Sequence, residues 1–321
     1  MQIDDIYQEW ISSIDLTKTR IVRFPSLVLL CGGTTSESPK KFSSCRDIFC
    51  RHIEVTQRLF REKVVLAEQV FEYFKHSAYK DLLNFEKDLA ELSALTVIFS
   101  ESPGSIAEFG SFTVIEPVQE RLLVVMHQDD TDKESFIWRG PALYLKELAR
   151  KNNREDPITI YDWKKSKRLK EKDFPDADHL AETMETILSK IPQTALFNKK
   201  QWAHKMLLML DLLRVIQLAT ADEITHFMQL LNLNYDRRNV DQHLSLLISL
   251  KLAIKKPYGH NVYYLSPPNK PWLSWAFKKT AKIRDVNRWK SIFLDCYSRN
   301  NQLQKSRALR SYLKSTGQIG D

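Results

Sequence analysis

Residues 98–110 read IFSESPGSIAEFG. An apolar run stops at Ser100, and Ser102, Pro103, Gly104 and Ser105 form a short loop leading into a helix. Glu108 falls within its first turn. Helix N-terminal amides attract anions, and a carboxylate at such a place can face the anomeric carbon of a sugar. There it stabilises an oxocarbenium-like state or forms a covalent glycosyl-enzyme. The same residues also have a purely structural reading. Ser105-x-x-Glu108 matches a capping box, as does Thr220-x-x-Glu223, to which no chemistry attaches. A second candidate is Cys31-Gly32-Gly33-Thr34-Thr35. Glycine lets backbone approach a sugar or phosphate, and its amides can form an anion nest; a tight turn accounts for Gly-Gly equally well. Gly110 is read as permitting close backbone packing beside Glu108.

These loops need a frame that holds them together. SLVLLCGG (26–33), ALTVIFS (94–100), RLLVVMH (121–127) and ITIYDW (158–163) read as buried strands. KVVLAEQVF (63–71) reads as another strand, although LAEQVFEYF also has helical spacing. Between them lie amphipathic segments at 42–60, 80–93, 105–120 and 140–152, the second with Leu82, Phe85, Leu89 and Leu92 on one side. Continuous apolar strands alternating with amphipathic helices predict a five-stranded parallel sheet covered on both faces, flavodoxin-like or Rossmann-like. In such sheets ligands bind beyond the carboxyl ends of the strands, where both candidate loops fall.

The texture changes in the back half. KKSKRLKEKDF, with Pro175 and Pro192 nearby, reads as a charged linker over 164–200. Three helical segments follow (203–219, 220–231 and 236–252), and then a hairpin at 253–267 turning at Pro257-Tyr258-Gly259. This order predicts an α+β winged-helix domain over 201–270. Its third helix would present Arg237, Arg238, Asn239, Gln242 and His243, and its wing Lys255, Lys256 and His260. Residues 271–321 read as a basic helical tail, with Trp289, Phe293, Tyr297 and Tyr312 either packing on the domain or stacking on bases. Residues 1–163 form the front domain in this division.

Charge follows the same division. Residues 1–163 carry 20 Lys+Arg against 26 Asp+Glu, and residues 164–321 carry 28 against 14. The basic half favours a polyanionic partner such as nucleic acid, or serves solubility as a solvated surface. Cys31, Cys45, Cys50 and Cys296 form no C-x-x-C pair, and no Cys/His cluster has zinc spacing, so reduced thiols and no metal are expected. No apolar run reaches membrane-spanning length, and the mixed, acidic MQIDDIYQEWISSIDLTK does not read as a secretory signal; a cytoplasmic protein is expected.

LLCGG, LLNFEKDLAELSALTVIFSESPGSIAEFGSF, LLVVM and ESFIWRGPALYL together resemble the nucleoside 2-deoxyribosyltransferase-like family, in the branch found as toxic effectors of bacterial retrons. The resemblance covers roughly 26–163, and S-P-G-S-x-x-E-x-G is its most specific part. It implies that Glu108 is the nucleophile and that Gly32 and Gly33 line the ribose or phosphate. Ser102, Gly104 and Ser105 would hold the loop that faces the sugar. Arg46 and Glu86 carry over as weaker substrate contacts; Asp88 competes with Glu86, and a surface ion pair for Arg46 or a helix-face charge for either acid fits as well. The branch implies an N-glycosidase acting on NAD or a related nucleotide as substrate, with no cofactor. Its implied partners are the retron reverse transcriptase and its RNA-linked single-stranded DNA, which hold the toxin in check; nucleic acid would be met through Arg237, Arg238, Lys255 and Lys256, and a higher-order oligomer is compatible. Two other readings stay open. One is a winged-helix DNA-binding regulator whose front domain senses a nucleotide without turning it over. The other is a metabolic deoxyribosyltransferase, which the long basic extension disfavours.

Overall fold

The computed structural model describes residues 3–36, 41–59, 63–166, 169–192, 194–267, 270–299 and 303–315. The chain divides into two compact units, 25–72 with 81–192, and 1–24 with 73–80 and 193–321.

The first unit is built on five strands: β1 (Leu27–Cys31), β2 (Lys63–Leu66), β3 (Leu95–Phe99), β4 (Leu122–His127) and β5 (Ile158–Tyr161). All neighbours pair in parallel, in the order β2-β1-β3-β4-β5. The expected α/β sheet is present. Every residue of β1, β3 and β4 is buried, as strands covered on both faces must be. The helices are α1 (Cys45–Thr56), α2 (Ala67–Lys75), α3 (Leu82–Leu92), α4 (Pro103–Thr113), α5 (Leu143–Lys151) and α6 (Ala177–Lys190). The ambiguous segment 63–71 holds both readings in turn, with the strand ending at Leu66 and α2 beginning at Ala67.

Alternation along the strands separates the two faces. Val28, Leu30, Val97, Phe99, Leu123 and Val125 pack with Ile48 and Phe49 of α1 and with Leu180 and Met184 of α6. Cys31, one step out of phase with Leu30, turns to the opposite face, where α3 and α4 lie on β1 and β3. The stretch expected to be a linker therefore includes a layer of the sheet unit. Leu169, Phe174, Ala177, Leu180, Ala181 and Met184 belong to its core. Surface charges on the same stretch conceal this spacing.

The second unit contains helices Trp202–Ile216, Ala221–Leu230 and Arg237–Ser249, followed by the antiparallel hairpin Ile254–Tyr258/Asn261–Leu265. Residues 1–24, expected in the front domain, belong to this unit instead. Helix Ile3–Ser13 buries Ile6, Tyr7, Trp10 and Ile11 at helical spacing. Tyr7 meets Phe227 edge-on at 4.7 Å between ring centroids, and Trp10 meets Phe293 at 5.2 Å. Arg20–Ile21 forms the middle strand of a small sheet with Ala195–Leu196 and Leu273–Ser274. The aromatic residues of the tail pack: Trp289, Phe293, Tyr297 and Tyr312 are all buried.

The units differ in charge. The sheet unit carries 22 Lys+Arg against 28 Asp+Glu, and the second unit 26 against 12. No helix among the described residues is long and apolar enough to cross a membrane.

Candidate active site

In the order 2-1-3-4-5, the chain leaves β1 and β3 toward opposite faces, which opens a crevice beyond their carboxyl ends. The loops after β1 and β3 meet there, with the Gly33 amide donating to Glu101 Oε1 at 3.0 Å. A cavity of about 800 Å³ lies at this end of the sheet, lined by Gly33, Ser44, Glu101, Ser102, Asp130 and Trp163 among others.

Pro103 decides how α4 begins. Proline suits the first helical position, since its missing N–H would have no partner there. The N-cap is consequently Ser102, whose side chain accepts from the Ser105 amide at 3.1 Å, while the Ser105 hydroxyl accepts from the Ser102 amide at 3.1 Å. Ser102 and Ser105 thus form the capping box with each other, and the expected Ser105–Glu108 box is absent. Both serines brace the loop, and Gly104 is exposed at the first turn.

Glu108 falls in the second turn of α4. Its carboxyl is held above the usual range by burial, against a lowering contact with the Cys31 thiol and the positive charge of Arg46. Cys31 ends β1 and is itself pushed up by burial and by the charges of Glu108 and Glu86. Glu86 on α3 is pushed up to about 7, by burial and then by Glu108. Two carboxyls from two helices therefore converge on the last residue of the first strand, and both favour the protonated form more than a free glutamate does. Asp88, the competing acid, is buried on the same helix. Gly110 is exposed, and a Cβ there would meet open space, so the close packing expected of it does not occur.

Arg46 has a different place from either one expected. It is 1% exposed, neither a surface ion pair nor a lining residue of the cavity. Its guanidinium donates to the carbonyls of Gly33 (2.8 Å from Nε) and Leu30 (3.1 Å), and pairs with Glu68 at 2.6 Å. It ties the Gly32-Gly33 turn down from beneath. That turn needs glycine: a Cβ at Gly32 would lie 2.9 Å from Arg46 Cδ, and one at Gly33 would lie 2.6 Å from Ser44 Cβ.

Two residues overlooked in the sequence complete the frame. Glu101 accepts from the amides of Gly33, Cys45 (2.7 Å) and Arg46 (3.1 Å), and so fills the N-terminus of α1. Its position directly after β3 was the available signal. His127, buried at the end of β4, accepts the Asp129 amide on Nδ1 at 2.9 Å. Its Nε2 then carries the proton donated to the Trp163 carbonyl at 2.7 Å, which joins the loops after β4 and β5.

The nucleic-acid candidates of the second unit are less uniform. Arg237 is bound up with Asp222 and with Asp241 at 3.0 Å. Asn239 is used in the capping box with Asp236. Gln242 and His243, expected on the presented face, are buried; His243 meets Tyr235 and the Trp202 ring. The same helix is covered by the segment 73–80, whose Ala78 amide donates to Ser245 Oγ at 3.1 Å. Arg238 and Lys255 are exposed, and Lys256 is half-buried on the hairpin.

A curated Escherichia coli protein, described as "Retron Ec86 putative ribosyltransferase/DNA-binding protein", is 26% identical over 125 residues. That segment spans 39% of this chain and 39% of the relative's own length. The family model for the STM3845 retron effector protein matches residues 43–255, which include α1, the Glu108 loop, α6 and the three helices that precede the hairpin. A match over this much of the chain identifies the protein as a member of the STM3845 retron effector family.

Proposed function

We propose that this effector breaks the N-glycosidic bond of NAD or a related nucleotide, with Glu108 as the nucleophile. The observation that carries the reading is the placement of the Glu108 carboxyl. It caps no helix, it is half-buried against the Cys31 thiol, and it lies with Glu86 at the carboxyl end of β1, the end at which such sheets bind ligands, although neither carboxyl lines the cavity of about 800 Å³ itself. A carboxylate there attacks C1′ from the face opposite the base. The C1′–N bond breaks, and its electron pair goes to the departing nitrogen. For nicotinamide this turns a cationic ring into a neutral leaving group, so little acid assistance is needed. Water then attacks C1′ of the glycosyl-enzyme, releases the Glu108 carboxylate and gives up its proton to solvent; a second base in its place would make the reaction a transfer. The name of the Escherichia coli relative, which includes ribosyltransferase, supports the glycosyl chemistry.

In the same proposal the basic unit, with 26 Lys+Arg against 12 Asp+Glu, docks on the retron's reverse transcriptase and its RNA-linked DNA, which hold the enzyme inactive. Exposed Arg238 and Lys255 are the contacts retained from the sequence reading, with Lys256 beside them. The pairing of Arg237 and the burial of Gln242 and His243 disfavour a regulator that reads bases through this helix. The test is NAD consumption on expression and by the purified chain, with and without its retron partner. Glu108→Gln should abolish both toxicity and turnover; equal toxicity in the variant would remove Glu108 from the mechanism.

A further inference from the structure

The N-terminus of α1 is the best-placed anion seat at the crevice, because it offers two helix amides and the neighbouring Gly33 amide to one point. The protein fills that seat itself. Glu101 Oε1 takes Gly33 and Arg46, and Oε2 takes Cys45. Gly33 has no side chain to hinder this: a Cβ there would come 3.2 Å from Glu101 Cδ as well as against Ser44. The rest of the lining agrees. It contains the carboxylates of Glu101, Asp129, Asp130 and Asp132 against the ammonium groups of Lys164 and Lys165. Lys165 is already paired with Asp130 at 2.9 Å. Ser43, Ser44 and Ser102 line the same cavity.

We propose that Glu101 is a specificity-determining residue: it closes the α1 edge of the crevice to phosphate, so that the substrate presents unphosphorylated sugar hydroxyls there. A phosphate at that edge would displace a carboxylate holding three amide hydrogen bonds and would enter a lining with an excess of negative charge. A neutral sugar or a cationic base meets neither obstacle. The inference rests on the reading of this crevice as the glycoside site, and it narrows the substrate to a nucleoside-type glycoside, or to a nucleotide whose phosphates point away from α1.

Inorganic phosphate is the probe, titrated into the full-length protein and followed by calorimetry and by amide hydrogen exchange over residues 32–47. The wild type should show no saturable binding. Glu101→Gln, which keeps one acceptor oxygen and loses the charge, should bind phosphate at least about tenfold more tightly and gain exchange protection at 33, 45 and 46. Saturable phosphate binding by the wild type with protection of those amides would overturn the proposal, and this arm needs no variant to fold. So would a folded Glu101→Gln with no gain in binding. Loss of the glycosidase reading through active Glu108→Gln would leave the phosphate result standing on its own.

Discussion

Ser105-x-x-Glu108 and Thr220-x-x-Glu223 have one pattern and two outcomes. At Thr220 the box forms: the hydroxyl accepts the Glu223 amide, and the Glu223 carboxylate takes the Thr220 amide at 2.9 Å. Its other oxygen holds the buried ammonium of Lys305, which also donates to Tyr7 at 2.9 Å. At Ser105 the box is displaced by one turn, because Pro103 starts α4 early and Ser102 becomes the cap. Glu108 is left with no backbone amide to serve. The difference lies three residues upstream of the motif, in whether a better N-cap is available. Glu223 is a structural carboxylate tied to a neighbouring helix, whereas Glu108 is a half-buried carboxyl against the Cys31 thiol at the end of β1.

Substitution separates the two. The largest effect expected is on turnover. Glu108→Gln should reduce NAD cleavage by about a thousandfold or more while leaving the melting temperature near wild type, since no cap is lost. Glu223→Ala should do the reverse. It removes a box and leaves the Lys305 charge buried without its carboxylate, at a cost of about 3 kcal/mol measured by urea denaturation of the second unit. Turnover per folded molecule should be unchanged. A smaller effect tests the displaced cap itself: Ser102→Ala should cost about 1 kcal/mol. If Ser102→Ala were silent and Ser105→Ala costly, the cap assignment and the freedom of Glu108 with it would fail.

The sequence was legible wherever a periodic signal was strong. Continuous apolar runs gave β1, β3 and β4, and their carboxyl ends located the two loops that meet at Gly33 and Glu101. It was opaque where one residue served two local rules. Ser105 fits a cap at the first or the fourth position of its motif, and only the proline between distinguishes them. Residues 164–192 looked like a linker because their charges outnumber their apolar residues, yet Phe174, Leu180 and Met184 suffice to cover a sheet face. Residues 1–24 read only as a mixed, acidic start to the front domain, since the partners Phe227 and Phe293 of their helix lie more than two hundred residues away. Arg46 offered no signal of burial, because two of its partners are backbone carbonyls that any sequence supplies and the third, Glu68, lies 22 residues away.

The smallest expected effect concerns the partner of Glu108. Glu86 is held at about 7, above the ordinary glutamate value, by burial and by the Glu108 charge. A carboxyl whose folded value is raised binds its proton more tightly in the folded state. Its contribution to stability is therefore complete below the unfolded value and is lost as pH rises through about 7. The wild-type sheet unit should accordingly lose stability between about pH 5 and 8 relative to Glu86→Gln, whose profile should be flatter there. Glu108→Gln should act on the same curve from the other side: with the neighbouring charge gone, the Glu86 midpoint moves down, so the loss ends at lower pH and is smaller. Glu223→Ala, in the other unit, should leave this limb unchanged. Superimposable pH profiles for wild type, Glu86→Gln and Glu108→Gln would mean that the two carboxyls do not share a site, and the comparison between a capping glutamate and a withdrawn one would lose its electrostatic half.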